Sequence, residues 1–311
     1  MRPIVALAGG VGAARFLDGL ARIVAPGRIS IIGNVADDTE ILGLHISADL
    51  DTVMYTLAGL AHRARGWGIA GDTFHCLGAL ERLGGDCWFQ LGDRDLATHL
   101  YRSERLRQGA ALSDIMRELS RALGVRASIL PVTDDRLRTM VRTRRGTLEF
   151  QTWFVRRRAR DTALGVVFEG ARKARPAPGV LRAIADAAAI ILCPSNPFIS
   201  IGPILAVPGI RRALRQTSAP VAAISPIIGG RALKGPAARM MKSMGEGASA
   251  FHVARMYRDF VDVFVLDTLD RALAPRIEAL GMRAVVTNTI MSGAPQRKAL
   301  AGAVLRELEI A

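Results

Sequence analysis

The sequence predicts an α/β fold, a mostly parallel sheet covered on both faces by helices. Three observations carry that prediction. Short apolar runs alternate with helix-length segments along most of the chain. The runs are apolar throughout rather than at every second residue, the pattern of strands buried on both faces. The first two runs, Pro3 to Ala8 and Ile29 to Gly33, flank a helix-length segment, Ala14 to Val24, that starts directly after a glycine cluster. This is the βαβ opening of a Rossmann-like sheet.

The elements follow in order. After the second strand, from Thr52 to about Leu123, helical periods punctuated by Gly and Asp replace the apolar runs, so residues 52–123 read as a mostly helical insertion. The core then comprises residues 1–51 and 124–311. "ASILPV", "RTMVRT", "LEFQTWFV" and "LGVVFEG" read as strands, with antiparallel hairpins among them. "AAAIILC", "PVAAISPII", "VDVFVLD" and "RAVVTNT" resume the buried strands. They alternate with helices at Pro178 to Ala187, Gly209 to Gln216, Pro236 to Met244, Phe251 to Phe260 and Gln296 to Leu308.

Composition narrows the class. With 311 residues, 50% of them hydrophobic, the chain can bury a substantial core. No apolar run approaches the ~18 residues that a membrane helix needs, so no membrane partner is expected. Cys76, Cys87 and Cys193 share no metal-like spacing and cannot all pair, which suits a reducing cytoplasm. The five histidines, His45, His62, His75, His99 and His252, also lack ligand spacing. The net charge of +14 attracts nucleotides, phosphorylated metabolites or nucleic acid without choosing among them. Its densest cluster, Arg142, Arg144, Arg145, Arg156, Arg157, Arg158 and Arg160, brackets Phe150, Trp153 and Phe154. The segment between reads as a strand whose aromatics face a core, so nucleic acid is not the expected partner.

In a parallel sheet, ligands gather beyond the carboxyl ends of the strands. Five such ends are polar or glycine-rich: "GGVGAAR", "NVADD", "PSNP", "SPIIGG" and "TNT". "GGVGAAR", Gly9 to Arg15, opens a helix whose backbone N–H groups suit a phosphate. It is neither a Walker motif nor a G-x-G-x-x-G fingerprint. "NVADD" delivers Asp37 and Asp38 to the same edge, and "ADLDTVMYTL" adds Asp49 and Asp51 in positions to cap a helix. Four carboxylates beside a phosphate turn are what a hard divalent cation requires, and magnesium is the expected ion.

These stretches, with "GWGIAGDTF", "LGDRDLATHLYRSERLRQG", "LPVTDDRLRTMV" and "CPSNPFISIGPILAVPGIR", together resemble the 2-phospho-L-lactate transferase family of coenzyme F-420 biosynthesis, from Ile4 to about Thr289. The resemblance implies a magnesium-dependent transfer. The terminal ribityl hydroxyl of the deazaflavin Fo attacks a guanosine-diphosphate-activated three-carbon acid and expels GMP. It implies metal at Asp37 and Asp49 with Asp38 nearby, and Fo beside Asp51 and Gln90. Gly10, Val11, Gly12, Ala13, Ser195 and Asn196 would hold the nucleotide side, and Asp37, Asp49 and Asp51 would carry the catalysis. A cytoplasmic homodimer fits the family. Ala13, Ala36 and Ala48 depart from its usual Gly or Pro, and Ala36 is expected to strain its turn. The acid is left open between phospholactate, phosphoenolpyruvate and phosphoglycerate. The main alternative is a non-enzymatic regulator of the same fold that binds nucleotide sugars. A nicotinamide-dependent oxidoreductase rests on the βαβ opening alone.

Overall fold

The computed structural model describes residues 2–62 and 64–310. From the N-terminus, β1 (Ile4–Ala8), α1 (Gly10–Ala21) and β2 (Ile29–Gly33) lead into a short hairpin, β3 (Thr39–Ile41) and β4 (Leu44–Ile46). Four helices follow, α2 (Ala48–Leu57), α3 (His75–Arg82), α4 (Asp93–Arg107) and α5 (Leu112–Ala122). The chain continues through β5 (Ser128–Pro131), β6 (Arg138–Thr143), β7 (Gly146–Glu149), β8 (Gly165–Glu169), α6 (Val180–Ala185) and β9 (Ala189–Leu192). Then come α7 (Gly202–Ala206), α8 (Ile210–Gln216), β10 (Val221–Ile224), β11 (Ile227–Ile228), β12 (Arg231–Ala232), α9 (Ala237–Ser243) and α10 (Ala250–Tyr257). The chain closes with β13 (Val263–Asp267), α11 (Ala274–Glu278), β14 (Arg283–Thr287) and α12 (Ala294–Glu307).

Seven strands form one sheet in the order β14-β13-β10-β9-β1-β2-β5, and every neighbouring pair is parallel. Its central strands are buried at every residue, as their unbroken apolar sequence requires: "IVALA" in β1, "AIIL" in β9 and "VAAI" in β10. Order reverses at β1, which pairs β2 on one side and β9 on the other. That reversal opens a crevice beyond the carboxyl ends of these strands. A separate antiparallel sheet, β7-β6-β8, and the small hairpins β3-β4 and β11-β12 complete the strands. Among the described residues no helix is long and apolar enough to cross a membrane.

The structure corrects the sequence reading in three places. "LEFQTWFV" is not one strand. β7 stops at Glu149, and Thr152–Arg156 winds into a wide helical turn. Phe150, Trp153 and Phe154 stand at i, i+3 and i+4, the helical spacing, so one turn gathers all three into a cluster with Val141, Ile199 and Met240. The neighbouring Arg156, Arg158 and Arg160 stay exposed. Second, α2 begins at Ala48, so Asp49 and Asp51 lie in its first turn and do not cap it. Their charge there still suits the positive end of the helix. Third, Ala36 is not strained, because Leu42, Arg158, Ala159 and Glu309 are the non-glycine residues with positive φ. Its N–H is fixed by the Asn34 side chain at 2.9 Å.

Helix α1 packs between α2 and α12. The α12 contact depends on Gly19, where a Cβ would stand 2.3 Å from the Arg297 carbonyl oxygen. Backbone cannot yield there, so Gly19→Val is expected to destabilise the protein by about 1–3 kcal/mol. A thermal melt measures this; an unchanged melting temperature would contradict the close approach.

Candidate functional site

The five polar strand ends meet around one cavity of about 480 Å³. The turns after β1, β2, β9, β10 and β14 supply Gly10, Asp37, Ser195, Pro226 and Thr289 to its wall. The helical segments add Asp49, Asp51, Tyr55, Gln90, Asp95 and His99, and the aromatic turn adds Phe150 and Phe154.

The floor is the turn between β1 and α1. Gly10 has φ +71°, and a Cβ at Gly12 would lie 2.2 Å from the Pro194 carbonyl oxygen, so the sequence needs glycine at both. Ser195 locks this turn: its hydroxyl donates to the Gly9 carbonyl at 2.9 Å. Asn196 caps the next helical turn, its Oδ1 accepting from Phe198 N at 2.9 Å. Gly10, Val11, Gly12, Ser195 and Asn196 line the cavity, whereas Ala13 is wholly buried on the inner face of α1 and does not.

Acids converge above that floor. Asn34, itself fully buried, donates from Nδ2 to Asp49 Oδ2 at 2.9 Å and to the Ile199 carbonyl at 3.1 Å. Burial pushes the Asp49 carboxyl up to about 7, with the Asp38 charge adding to the rise. Asp37 is raised well above the usual carboxylate range by burial, and then by the charges of Asp49 and Asp38. Its Oδ1 is buried without a hydrogen-bond partner. Asp38 is turned away from the cavity: its Oδ2 accepts from Ser47 Oγ at 2.8 Å and meets His45 Nε2 at 3.0 Å. Among the described residues no group of three or more His, Cys, Asp or Glu is placed to hold a metal. Asp37 and Asp49 instead present two hard oxygen donors beside the glycine turn that opens α1, whose N–H groups suit a phosphate. That is the donor set of an ion such as magnesium, which keeps waters and shares substrate phosphate rather than sitting in an all-protein cage.

Asp51 occupies the other side, engaged by Arg102 from α4 through a two-point ion pair. Burial raises its carboxyl, against the opposing pull of Arg102 and His99. Gln90 is exposed on the rim. Opposite the acids stand cations. Arg15 and Lys234 line the cavity, and the Lys234 ammonium is lowered by partial burial and by the Arg15 charge. Lys234 Nζ also donates to the Ala64 and Arg65 carbonyls at 3.2 and 3.1 Å, joining two rim loops.

The aromatic wall holds Phe89, Phe150 and Phe154, the latter two stacked at 5.3 Å with 11° between their planes. Trp67 also lines the cavity, with the Arg65 guanidinium 5.6 Å from its ring and 5.3 Å from that of Phe74. Trp88 packs edge-on against Phe89. Asn34, Tyr55, Asp95, His99, Arg102, Phe89 and Phe150 were not singled out as site residues from the sequence. Asn34 lies in "NVADD", Tyr55 in "ADLDTVMYTL" and Asp95, His99 and Arg102 in "LGDRDLATHLYRSERLRQG", stretches that carry the family resemblance, but only packing shows that they reach the site.

A family model described as 2-phospho-L-lactate transferase CofD matches residues 4–291. A phosphoenolpyruvate transferase of Kitasatospora aureofaciens is 46% identical over 286 residues, covering 90% of this chain and 89% of that protein. A 2-phospho-L-lactate transferase of Methanosarcina mazei is 39% identical over 303 residues, covering 97% and 99% respectively. Among solved structures, a UPF0052 family member from Bacillus halodurans has a TM-score of 0.63 at 17% identity, covering 98% of each chain, which is a likeness of fold.

The raised acids set the pH dependence. Between the ordinary carboxyl value of 3.8 and about 7, the folded protein holds a proton on Asp49 that the unfolded chain has lost. Stability from this group is therefore full below pH ~4 and falls as pH rises towards 7. In EDTA, Asp49→Asn should melt higher than wild type at pH 8, with the gap narrowing through pH 5 and closing near pH ~4. Parallel melting curves across that range would contradict the buried acid pair.

Proposed function

The chain belongs to the 2-phospho-L-lactate transferase family, and on that premise we propose that it transfers a phospho-acid from a guanosine-diphosphate-activated three-carbon acid to the terminal ribityl hydroxyl of the deazaflavin Fo. The hydroxyl oxygen forms a bond to the phosphorus that carries the acid. The bond from that phosphorus to the bridging oxygen breaks, GMP leaves with the electron pair, and the hydroxyl proton passes to a base. The observation that carries this reading is the pair of buried Asp37 and half-buried Asp49, both with raised carboxyls, beside a glycine turn and in one cavity with a stacked aromatic wall.

In-line displacement at phosphorus asks a protein mainly for positioning and charge neutralisation. The N–H groups at the start of α1, with Ser195 and Asn196 shaping the turn, hold the nucleotide side. Arg15 and Lys234 face the anionic acid and diphosphate. Asp37 and Asp49 would hold Mg²⁺, which when bound neutralises the diphosphate charge. Phe150 and Phe154 offer a flat apolar surface to the deazaflavin ring, and Gln90 closes the rim. Asp51 faces the acceptor hydroxyl and takes its proton. The reading extends to a cytoplasmic homodimer that uses no nucleic acid. The three free cysteines, Cys76, Cys87 and Cys193, and the family resemblance support it.

A coupled assay tests the reaction. Fo, GTP, the upstream guanylyltransferase and Mg²⁺ are supplied with phospholactate, phosphoenolpyruvate or phosphoglycerate, and mass spectrometry reads the Fo adduct and GMP. The relatives' names make the first two acids the leading candidates. Product should vanish in EDTA and fall by about 10²–10³-fold in Asp37→Asn. Nucleotide binding without product from any acid would favour the regulatory reading. A second measurement concerns the cations. Arg15→Gln should raise the KM for the activated acid about tenfold or more, the weight of a lost charged hydrogen bond. An unchanged KM would remove Arg15 from the anion side.

A further inference from the structure

We infer that Arg102 is the positioning residue that fixes Asp51 towards the acceptor hydroxyl. The inference rests on the reading that Asp51 serves the acceptor. Arg102 lies on α4, wholly removed from solvent, with its guanidinium directed at α2 across the edge of the cavity. Nη2 donates to Asp51 Oδ1, and Nη1 donates to Asp51 Oδ2 at 3.1 Å and to the His45 carbonyl at 3.3 Å. The fork therefore fixes the plane of the carboxylate as well as its place.

His99 completes the frame. Its Nδ1 stands 3.3 Å from Arg102 Nη1 and 3.7 Å from Asp51 Oδ2. Its Nε2 stands 3.2 Å from Asp95 Oδ1. Tyr55 donates to the same Asp95 oxygen at 2.7 Å. The nearby His99 and Arg102 and the Tyr55 bond outweigh the effect of burial and hold the Asp95 carboxyl below the ordinary range. Asp95 is thus the settled anion of the cluster. Asp51, on the cavity wall with both carboxylate oxygens held by Arg102, is the acid whose orientation that fork fixes. Both residues, with Tyr55 and His99, line the cavity, and Arg102 stands behind them.

Stability alone does not account for the arrangement. A buried ion pair is commonly matched or exceeded in stability by apolar residues of similar volume. An Arg–Asp fork at the wall of a reaction cavity has its value in orientation, which lysine, a single point charge, cannot reproduce.

The test measures kcat and both KM values in the coupled assay for Arg102→Lys, Arg102→Met, Asp51→Asn and the double variant Asp51→Asn/Arg102→Met. Affinity for Fo alone is read in parallel by its fluorescence. Arg102→Lys should lower kcat about tenfold or more, raise the KM and Kd for Fo, and leave the KM for the activated acid unchanged. The double variant should be no slower than Asp51→Asn alone, because the two residues act as one unit. A folded Arg102→Lys enzyme with wild-type kcat and wild-type Fo affinity would overturn the inference, as would losses that multiply in the double variant. If Arg102→Met fails to fold, Arg102→Lys and the double variant, which strands no charge, decide the matter. Wild-type protein that binds Fo but makes no product overturns the proposed reaction and leaves Arg102 to be judged by Fo affinity. Wild-type protein that does not bind Fo overturns both.

Discussion

The constraint on which the site depends is the withdrawal of carboxylates from water at the edge of a parallel sheet. Asp37 and Asp49 are held where burial pushes both carboxyls upward, helped at Asp37 by the charges of Asp49 and Asp38 and at Asp49 by that of Asp38. Such groups persist only if the surroundings fix them. Asn34 does so at the end of β2. Its amide bonds Asp49 and the Ile199 carbonyl, and its carbonyl receives the Ala36 N–H. One uncharged side chain thereby joins two strand ends and the first turn of α2. On the proposed reading, a bound cation and an anionic substrate relieve this cost.

A second set of acids is treated differently. Asp38 Oδ2 is held by Ser47 and His45, and Asp51 is held by Arg102. Both arrangements trace to α4. Arg102 binds the His45 carbonyl, and the adjacent Ser103 accepts the His45 N–H at 2.8 Å. The helical segment is thus more than a cover over the cavity. It pins the β3–β4 hairpin, which lies in sequence between Asp38 and Asp49.

The aromatic wall shows how a local pattern can mislead. "LEFQTWFV" has the β-branched and aromatic content of a strand, and its neighbours form hairpins. Yet the spacing of Phe150, Trp153 and Phe154 fits a helical turn, and burying three rings together in one cluster outweighs strand propensity. The same turn delivers Gln151, whose Nε2 donates to the Asp37 carbonyl at 3.0 Å. The aromatic cluster and the acid site are therefore built by one segment.

By itself the sequence determined the parallel sheet, because fully apolar runs separated by helix-length segments have no other economical packing. It also determined the glycine turn and the acids of β2 and α2, since these lie in short contiguous stretches whose chemistry is local. Only the tertiary structure decided what those acids do to one another. Asp38 turns away from the cavity and Ala13 faces the core because of neighbours brought in by folding. Arg102 and His99 are, in sequence, ordinary residues of a charged helix. They reach Asp51, roughly fifty positions earlier, only because α4 packs beside α2 and the β3–β4 hairpin. Long-range contacts of this kind leave no periodic or motif signal in a single sequence.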